Sequence, residues 1–345
     1  MALRRPTVLI CFLLTALSVG RAAAAPAPAG MSVDAAFYLS VALNVMQRVS
    51  INRSTVDWAA LRASAMERAA GARTSADTYP AIEAALAGLG DGHSFFAPPP
   101  GTARAAPAAA GDSGRMVSNR FGYVLLATWA GGDAAAYAAR LQRIVASVYR
   151  GSPCGWIVDL RGNQTRDLYS MLAGVGPILG DGLSGRIIYP SGPPSAWYYQ
   201  RGTAGFIKTA TGQRTAVVQL SRPVVLDEAL PPVAVLTGRR TASAGEALAV
   251  SFRGRPETRS FGRPTAGLST YNDAFRLRDG ATLYITTAVL ADRIGRSYGS
   301  PLSPDIAVDG PDEPRAGAED PVIEAAARWL TIQPSCARAM ASRIP

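Results

Sequence analysis

One histidine and one lysine occur in the whole chain, His93 and Lys208. Imidazole, with an ordinary pKa of about 6.5, exchanges its proton near neutral pH. A nucleophilic serine is commonly activated by an imidazole or by an unprotonated amine, so the chain offers one group of each kind. His93 sits in Leu89-Gly90-Asp91-Gly92-His93-Ser94-Phe95-Phe96, where turn-forming residues give way to aromatics. It reads either as a turn histidine or as a general base. A serine that such a base could serve is Ser243. The apolar run Val233-Ala234-Val235-Leu236-Thr237 predicts a buried strand, and Gly238-Arg239-Arg240-Thr241-Ala242-Ser243-Ala244-Gly245-Glu246 leads from it into an apolar helical pattern. Free N–H groups and the positive dipole end at a helix start favour an alkoxide-like nucleophile and the oxyanion of an acyl intermediate. The small neighbours Ala242, Ala244 and Gly245 leave room for a carbonyl. The plainer reading is a helix cap, since Ser243 and Glu246 also have capping-box spacing.

The elements that must hold these residues follow from periodicity. Helical spacing predicts helices over 33–49, from Ser54 onward, with Asp57 completing a capping box, and over about 78–89. Residues 97–120 form a loop rich in Pro, Ala and Gly over its first part. Beyond it, strands over 122–128 and 155–160 alternate with helices over 134–149 and 167–179. Short strands follow at 186–189, 197–201 and 217–220, then the 233–237 strand and a helix over 243–252. Leu277-Arg278-Asp279-Gly280-Ala281-Thr282-Leu283 predicts a hairpin turning at Asp-Gly. Strands alternating with helices argue for an α/β fold with a mixed sheet. The expected layout is a helical subdomain over 32–96, an α/β domain over 121–332 and a tail over 333–345. Trp197, Tyr198 and Tyr199 read as core residues or as a ligand groove.

Arg4 and Arg5, the apolar run Val8–Val19 and Ala22–Ala25 have the form of a secretory signal over 1–24, its apolar part too short to span a membrane. The expectation is a secreted or periplasmic protein. Cys154 and Cys336 then lie outside the signal, as a disulfide or as two free thiols. The formal charge is +10, but the arginines are scattered, and neither a basic cluster nor a reader motif for nucleic acid is present. One histidine and two such cysteines do not make a typical zinc site, and no phosphate or dinucleotide loop is seen. No metal, cofactor or nucleic-acid partner is expected.

Taken in order, five strings resemble the tail-specific or C-terminal-processing serine peptidases, a family that includes tricorn protease and interphotoreceptor retinoid-binding protein. They are Leu89–Ser94, Gly155–Asn163, Val233–Glu246, Phe261–Gly267 and Pro304-Asp305. The resemblance implies a crotonase-like α/β spiral of ββα units with an N-terminal helical annex, and the interval between Phe96 and Gly122 leaves no room for the PDZ domain that some members carry there. It implies Ser243 as nucleophile. The lysine that some members place after the next strand is absent from Thr265-Ala266-Gly267-Leu268, which leaves His93, as in the tricorn-like branch.

Two departures accompany the likeness. The family's Gly-Gly after Asp159-Leu160-Arg161-Gly162-Asn163, which supplies an oxyanion N–H, is replaced by Gln164-Thr165-Arg166. Ala244, Gln164 and Thr165 are the candidates for the oxyanion hole. The glutamate that the tricorn-like branch places a few residues before the Pro-Asp string is absent from Arg296-Ser297-Tyr298-Gly299-Ser300, so the candidates for orienting His93 are Glu246, Asp292 and Ser94, each of which also has a structural reading. The expected function is a secreted serine peptidase or related acyl hydrolase acting on peptides or unstructured proteins. The alternative is a non-catalytic protein on the same fold that binds peptides or apolar ligands.

Overall fold

The computed structural model describes residues 30–99, 111–226, 230–313 and 319–341. The expected signal segment lies outside them. Helix α1 (Val33–Val49) is capped by Ser32 and buries Ala35, Leu39, Leu43 and Met46 along one face, the stripe that a period of 3.6 requires. Helix α2 (Trp58–Arg68) starts later than expected. Its cap is Asp57, whose carboxylate accepts the N–H groups of Ala59 and Ala60, while residues 52–56 turn through backbone bonds such as Thr55 N–H to Asn52 O. Helix α3 (Tyr79–Ala87) follows, and the chain then enters the His93 turn.

Strand β1 (Phe95–Ala97) leaves that turn, and β2 (Ser113–Val117) pairs antiparallel with β3 (Phe121–Leu125). The segment 113–117 was expected as loop. Its strand arises from a tertiary partner that local composition does not encode. Then come α4 (Ala134–Tyr149), β4 (Gly155–Asp159) and α5 (Leu168–Leu179), followed by β5 (Gly182–Ile188), β6 (Ser195–Gln200), β7 (Thr203–Lys208) and β8 (Gln213–Gln219). Strand β7, absent from the sequence-based expectation, is short and Gly-containing, and is held between β6 and β8. The chain continues through β9 (Val233–Thr237), α6 (Ala244–Phe252), β10 (Thr258–Gly262), β11 (Thr270–Arg276), β12 (Thr282–Ala291) and β13 (Ile306–Ala307). Helices α7 (Pro321–Thr331) and α8 (Pro334–Ala341) close it, so the tail from 333 includes a helix.

Two sheets result. A six-stranded sheet runs β13-β10-β9-β4-β3-β2, parallel from β13 to β3, with β2 antiparallel at its edge. A seven-stranded antiparallel sheet carries β1, β5 to β8, β11 and β12. The architecture is therefore mixed α/β. Strands β4 and β9 are buried throughout, as parallel strands covered on both faces must be. The helices α1 to α3 share their apolar core with Leu283 and Ile285 of β12. They therefore pack directly on the sheet that receives β1.

Cys154 and Cys336 form a disulfide across a sequence separation of 182. It ties the chain just before β4 to α8. The Asp159-Leu160-Arg161 string is anchored below the site. Buried Arg161 pairs with Asp159 and with Asp320, both at 2.7 Å, and Asp320 caps α7.

Candidate active site

Parallel neighbours β4 and β9 end side by side, and in such sheets ligands gather beyond the carboxyl ends of the strands. Each is followed by a loop and a helix. The loop after β4 carries Gln164-Thr165-Arg166 into α5, and the loop after β9 carries Ser243 into α6. Hydrogen bonds zip the loops together: Ala242 N–H donates to Asn163 O at 2.9 Å, and Ala244 N–H to Thr165 O at 3.2 Å. Gly245 permits this approach, because a Cβ there would lie 2.7 Å from Asn163 O.

Ser243 has φ +54° and ψ −118°, a conformation that costs an L-residue about 1–3 kcal/mol and persists only where the surroundings over-determine it. Glu246 is the main restraint. Its carboxylate accepts from Ser243 N–H at 3.1 Å, Thr265 Oγ at 2.5 Å, Gly267 N–H at 3.0 Å and Leu268 N–H at 2.7 Å. Burial pushes this carboxyl above its ordinary range, against the effect of those hydrogen bonds. Glu246 therefore holds the serine backbone and the 265–268 turn together and makes no contact with His93.

The second sheet delivers the histidine. Gly92, at φ +65°, turns the chain so that Asp91 Oδ1 accepts from His93 N–H at 2.8 Å and from Ser94 N–H at 2.7 Å. Strand β1 then pairs with β12, and Asn272 of β11 donates to His93 O at 2.8 Å. The imidazole reaches across the gap between the sheets. Its Nε2 lies 2.9 Å from Ser243 Oγ, and its Nδ1 lies 2.7 Å from Thr270 Oγ. Such a spacing is within the reach that proton transfer from a serine requires. His93 is only 8% exposed. Burial pushes its pKa down to about 4, opposed by the charge of Asp91 and assisted by that of Arg166.

The remaining sequence candidates lie elsewhere. Asp292 accepts the N–H groups of Ile294 and Arg296 and the hydroxyl of Tyr298. Ser94 Oγ donates to Asp91 and accepts Thr286 N–H. Neither reaches the imidazole ring, which is met by Thr270 instead. Lys208 is at the end of β7 and does not line the cleft. The three expected oxyanion donors face protein acceptors: Ala244 N–H as above, Gln164 N–H on Thr128 Oγ at 2.9 Å, and Thr165 N–H on Asn163 Oδ1 at 3.1 Å. Neither Gln164 nor Thr165 takes a positive φ. Without the freedom of glycine, the loop turns its N–H groups inward.

Thr270 carried no local signal, since it meets His93 across 177 residues. The Asp91 turn, by contrast, was visible in Gly90-Asp91-Gly92. Ser243 and His93 open onto a cleft of about 380 Å³ whose walls include Phe95, Tyr169, Trp197, Tyr271 and Leu290. Of the three adjacent aromatics, Trp197 reaches this wall while its indole N–H donates to Ser251; Tyr198 and Tyr199 are buried. Among the described residues there is no group of three or more His, Cys, Asp and Glu able to hold a metal ion.

The sequence profile of Peptidase family S41 matches residues 120–308. This chain belongs to that family. The nisin-resistance protein of Lactococcus lactis subsp. lactis is 28% identical over 272 residues, which cover 78% of this S41 chain and 82% of its relative. A lipoprotein from Streptococcus agalactiae has a similar fold, with a TM-score of 0.67 at 20% identity over 87% of this chain and 97% of that one. A candidate peptidase from Parabacteroides merdae superposes with a TM-score of 0.54 at 18% identity, over 87% and 97% of the two chains. The profile covers β3 through β13, including Ser243 but not His93. In this S41 member the histidine that meets Ser243 thus comes from outside the matched segment.

Proposed function

We propose that this protein is a serine peptidase, or a related acyl hydrolase, in which Ser243 is the nucleophile and His93 the general base. The observation that carries the reading is the 2.9 Å approach of His93 Nε2 to Ser243 Oγ. Ser243 Oγ bonds to the substrate carbonyl carbon as its proton passes to Nε2 and the carbonyl π pair moves onto oxygen. Collapse of that intermediate restores C=O and breaks the bond to the leaving amine, which takes the proton from Nε2. Water then repeats the sequence on the acyl-enzyme. Nδ1 keeps its hydrogen throughout and donates it to Thr270.

The repeated strand–loop–helix units β4–α5 and β9–α6 support the finer reading of the fold as a crotonase-like spiral. The disulfide supports an extracytoplasmic setting, since such bonds persist in oxidising compartments. The relative named for nisin resistance makes nisin the first peptide to offer as substrate. Ser243→Ala and His93→Ala should each abolish hydrolysis of unstructured peptide while circular dichroism stays unchanged. Full activity in either variant overturns the reading.

The engagement of all three expected oxyanion donors favours a second reading, a non-catalytic protein that binds peptides or apolar ligands in the cleft. Covalent labelling of Ser243 by a fluorophosphonate decides against it. Saturable ligand binding without labelling decides for it.

A further inference from the structure

The loop that replaces Gly-Gly has lost its backbone donors but has gained a cation. Arg166 is exposed, lines the same cleft as Ser243 and His93, and lies with its guanidinium 4.3 Å from the centre of the Phe95 ring. Phe95 follows His93 by two residues, so the stack ties the oxyanion-loop side of the cleft to the side that carries the base. Cation–π contact leaves the guanidinium edge, with its N–H donors, open to a further partner. Among the described residues Arg166 makes no ion pair. The loop is tied to the chain that follows β3. Asn163 Nδ2 donates to Leu126 O and Ala127 O, and Thr165 Oγ accepts Trp129 N–H. Recovering the N–H of Gln164, Thr165 or Ala244 for the oxyanion would mean breaking its bond to Thr128 Oγ, Asn163 Oδ1 or Thr165 O.

The geometry points to Arg166 as the electrophilic group of this site, its guanidinium taking by side chain the oxyanion role that backbone N–H groups of the missing Gly-Gly would serve. This rests on the proposed acyl-transfer reading. When Ser243 Oγ adds to the carbonyl carbon and the π pair moves to oxygen, the new negative charge is met by a charge-assisted N–H bond, stronger than one from a neutral amide. The bond is released when C=O re-forms. A positive charge near His93 opposes formation of the imidazolium in the same step. The gain at the oxyanion must therefore exceed that cost, which a direct contact does more readily than a charge acting at longer range.

The test uses the full chain and a neutral alkyl fluorophosphonate, whose phosphoryl oxygen occupies the oxyanion position whatever the natural substrate is. The second-order rate constant for labelling Ser243 is measured for wild type, Arg166→Ala and Arg166→Lys. With Arg166 in the proposed role, Arg166→Ala labels about 100-fold more slowly and Arg166→Lys recovers about 10-fold of that loss. With p-nitrophenyl butyrate the loss falls on kcat and leaves KM unchanged. Labelling of Arg166→Ala within about 3-fold of wild type overturns the proposal. So does a loss that appears only with anionic substrates, which would make Arg166 a substrate anchor. These outcomes leave the Ser243–His93 reading standing. Wild type that labels no faster than Ser243→Ala overturns that reading, and this one with it.

Discussion

The imidazole of His93 rests on the hydroxyl of Thr270, Nδ1 to Oγ at 2.7 Å, the position that a carboxylate holds in an Asp-His-Ser triad. A hydroxyl can accept from Nδ1 or donate to it, so Thr270 orients the ring without by itself selecting the tautomer; in the proposed mechanism Nδ1 carries the hydrogen and Nε2 takes the serine proton. The hydroxyl gives the imidazolium none of the stabilisation that a charged partner would. Thr270→Val removes the acceptor with little change of volume. It should lower kcat about 10-fold, the equivalent of one hydrogen bond worth ~1.4 kcal/mol. Thr270→Ser should recover most of the activity. Equal kcat values in Val, Ser and wild type would make Thr270 a bystander.

Burial holds His93 near a pKa of about 4, below the ordinary value of about 6.5 that applies in the unfolded chain. The imidazole is therefore neutral well into the acid range, the state that the proposed role as base requires. The acid limb of kcat/KM should have its midpoint near pH 4 rather than near 6.5. Stability changes in the matching direction. Above pH 6.5 the group is neutral in both states and contributes nothing. Between 6.5 and 4 the unfolded chain binds the proton more readily, so this group lowers stability by about 1.4 kcal/mol per pH unit as pH falls. Urea unfolding at pH 7 and pH 5 checks this: the loss in wild type should exceed that in His93→Gln by about 2 kcal/mol.

Glu246 faces four donors with two oxygens. Glu246→Gln keeps the shape but turns an amide NH2 toward two of them, at a cost of about 1–3 kcal/mol for each buried donor left unmatched. The urea midpoint should fall. Labelling of Ser243 should slow as well, because the strained serine backbone loses its restraint. A variant as stable and as quickly labelled as wild type would show that the helix start holds Ser243 without Glu246.

The disulfide joins the chain before β4 to α8, whereas the site lies beyond the carboxyl ends of β4 and β9. Stability and activity should therefore separate. Replacing both Cys154 and Cys336 by Ser should cost about 2–5 kcal/mol in unfolding free energy, through a freer unfolded chain, with kcat unchanged. Chemical denaturation and a peptide-hydrolysis assay, run on the same preparation, provide the check.

Much of the local structure was legible because local rules govern it. The Val33–Val49 and Ala134–Tyr149 helices and the Val233–Thr237 strand follow from hydrophobic period alone. Asp-Gly at 279–280 marked the β11–β12 hairpin. The start of α2 was misplaced because Ser54 and Asp57 both offer a capping oxygen, and only the fold selects the one whose N–H groups lie ahead of it. Strands β2 and β7 escaped because a short strand is defined by its partner rather than by its own residues.

By itself, the sequence determined which groups were available: one imidazole, one amine, and a small-residue turn with a serine entering a buried helix. The tertiary structure alone decided which of them meet. His93 and Ser243 touch across 150 residues, and His93 and Thr270 across 177, because antiparallel pairing brings β1 and β11 to β12 while parallel pairing sets β9 beside β4. It also decided that Cys154 and Cys336 are joined, and that the N–H groups of Gln164 and Thr165 turn inward while the Arg166 side chain lines the cleft. Residue type sets what a group can donate or accept. Sheet register and loop backbone angles set where it points, and these are determined by contacts far apart in the chain.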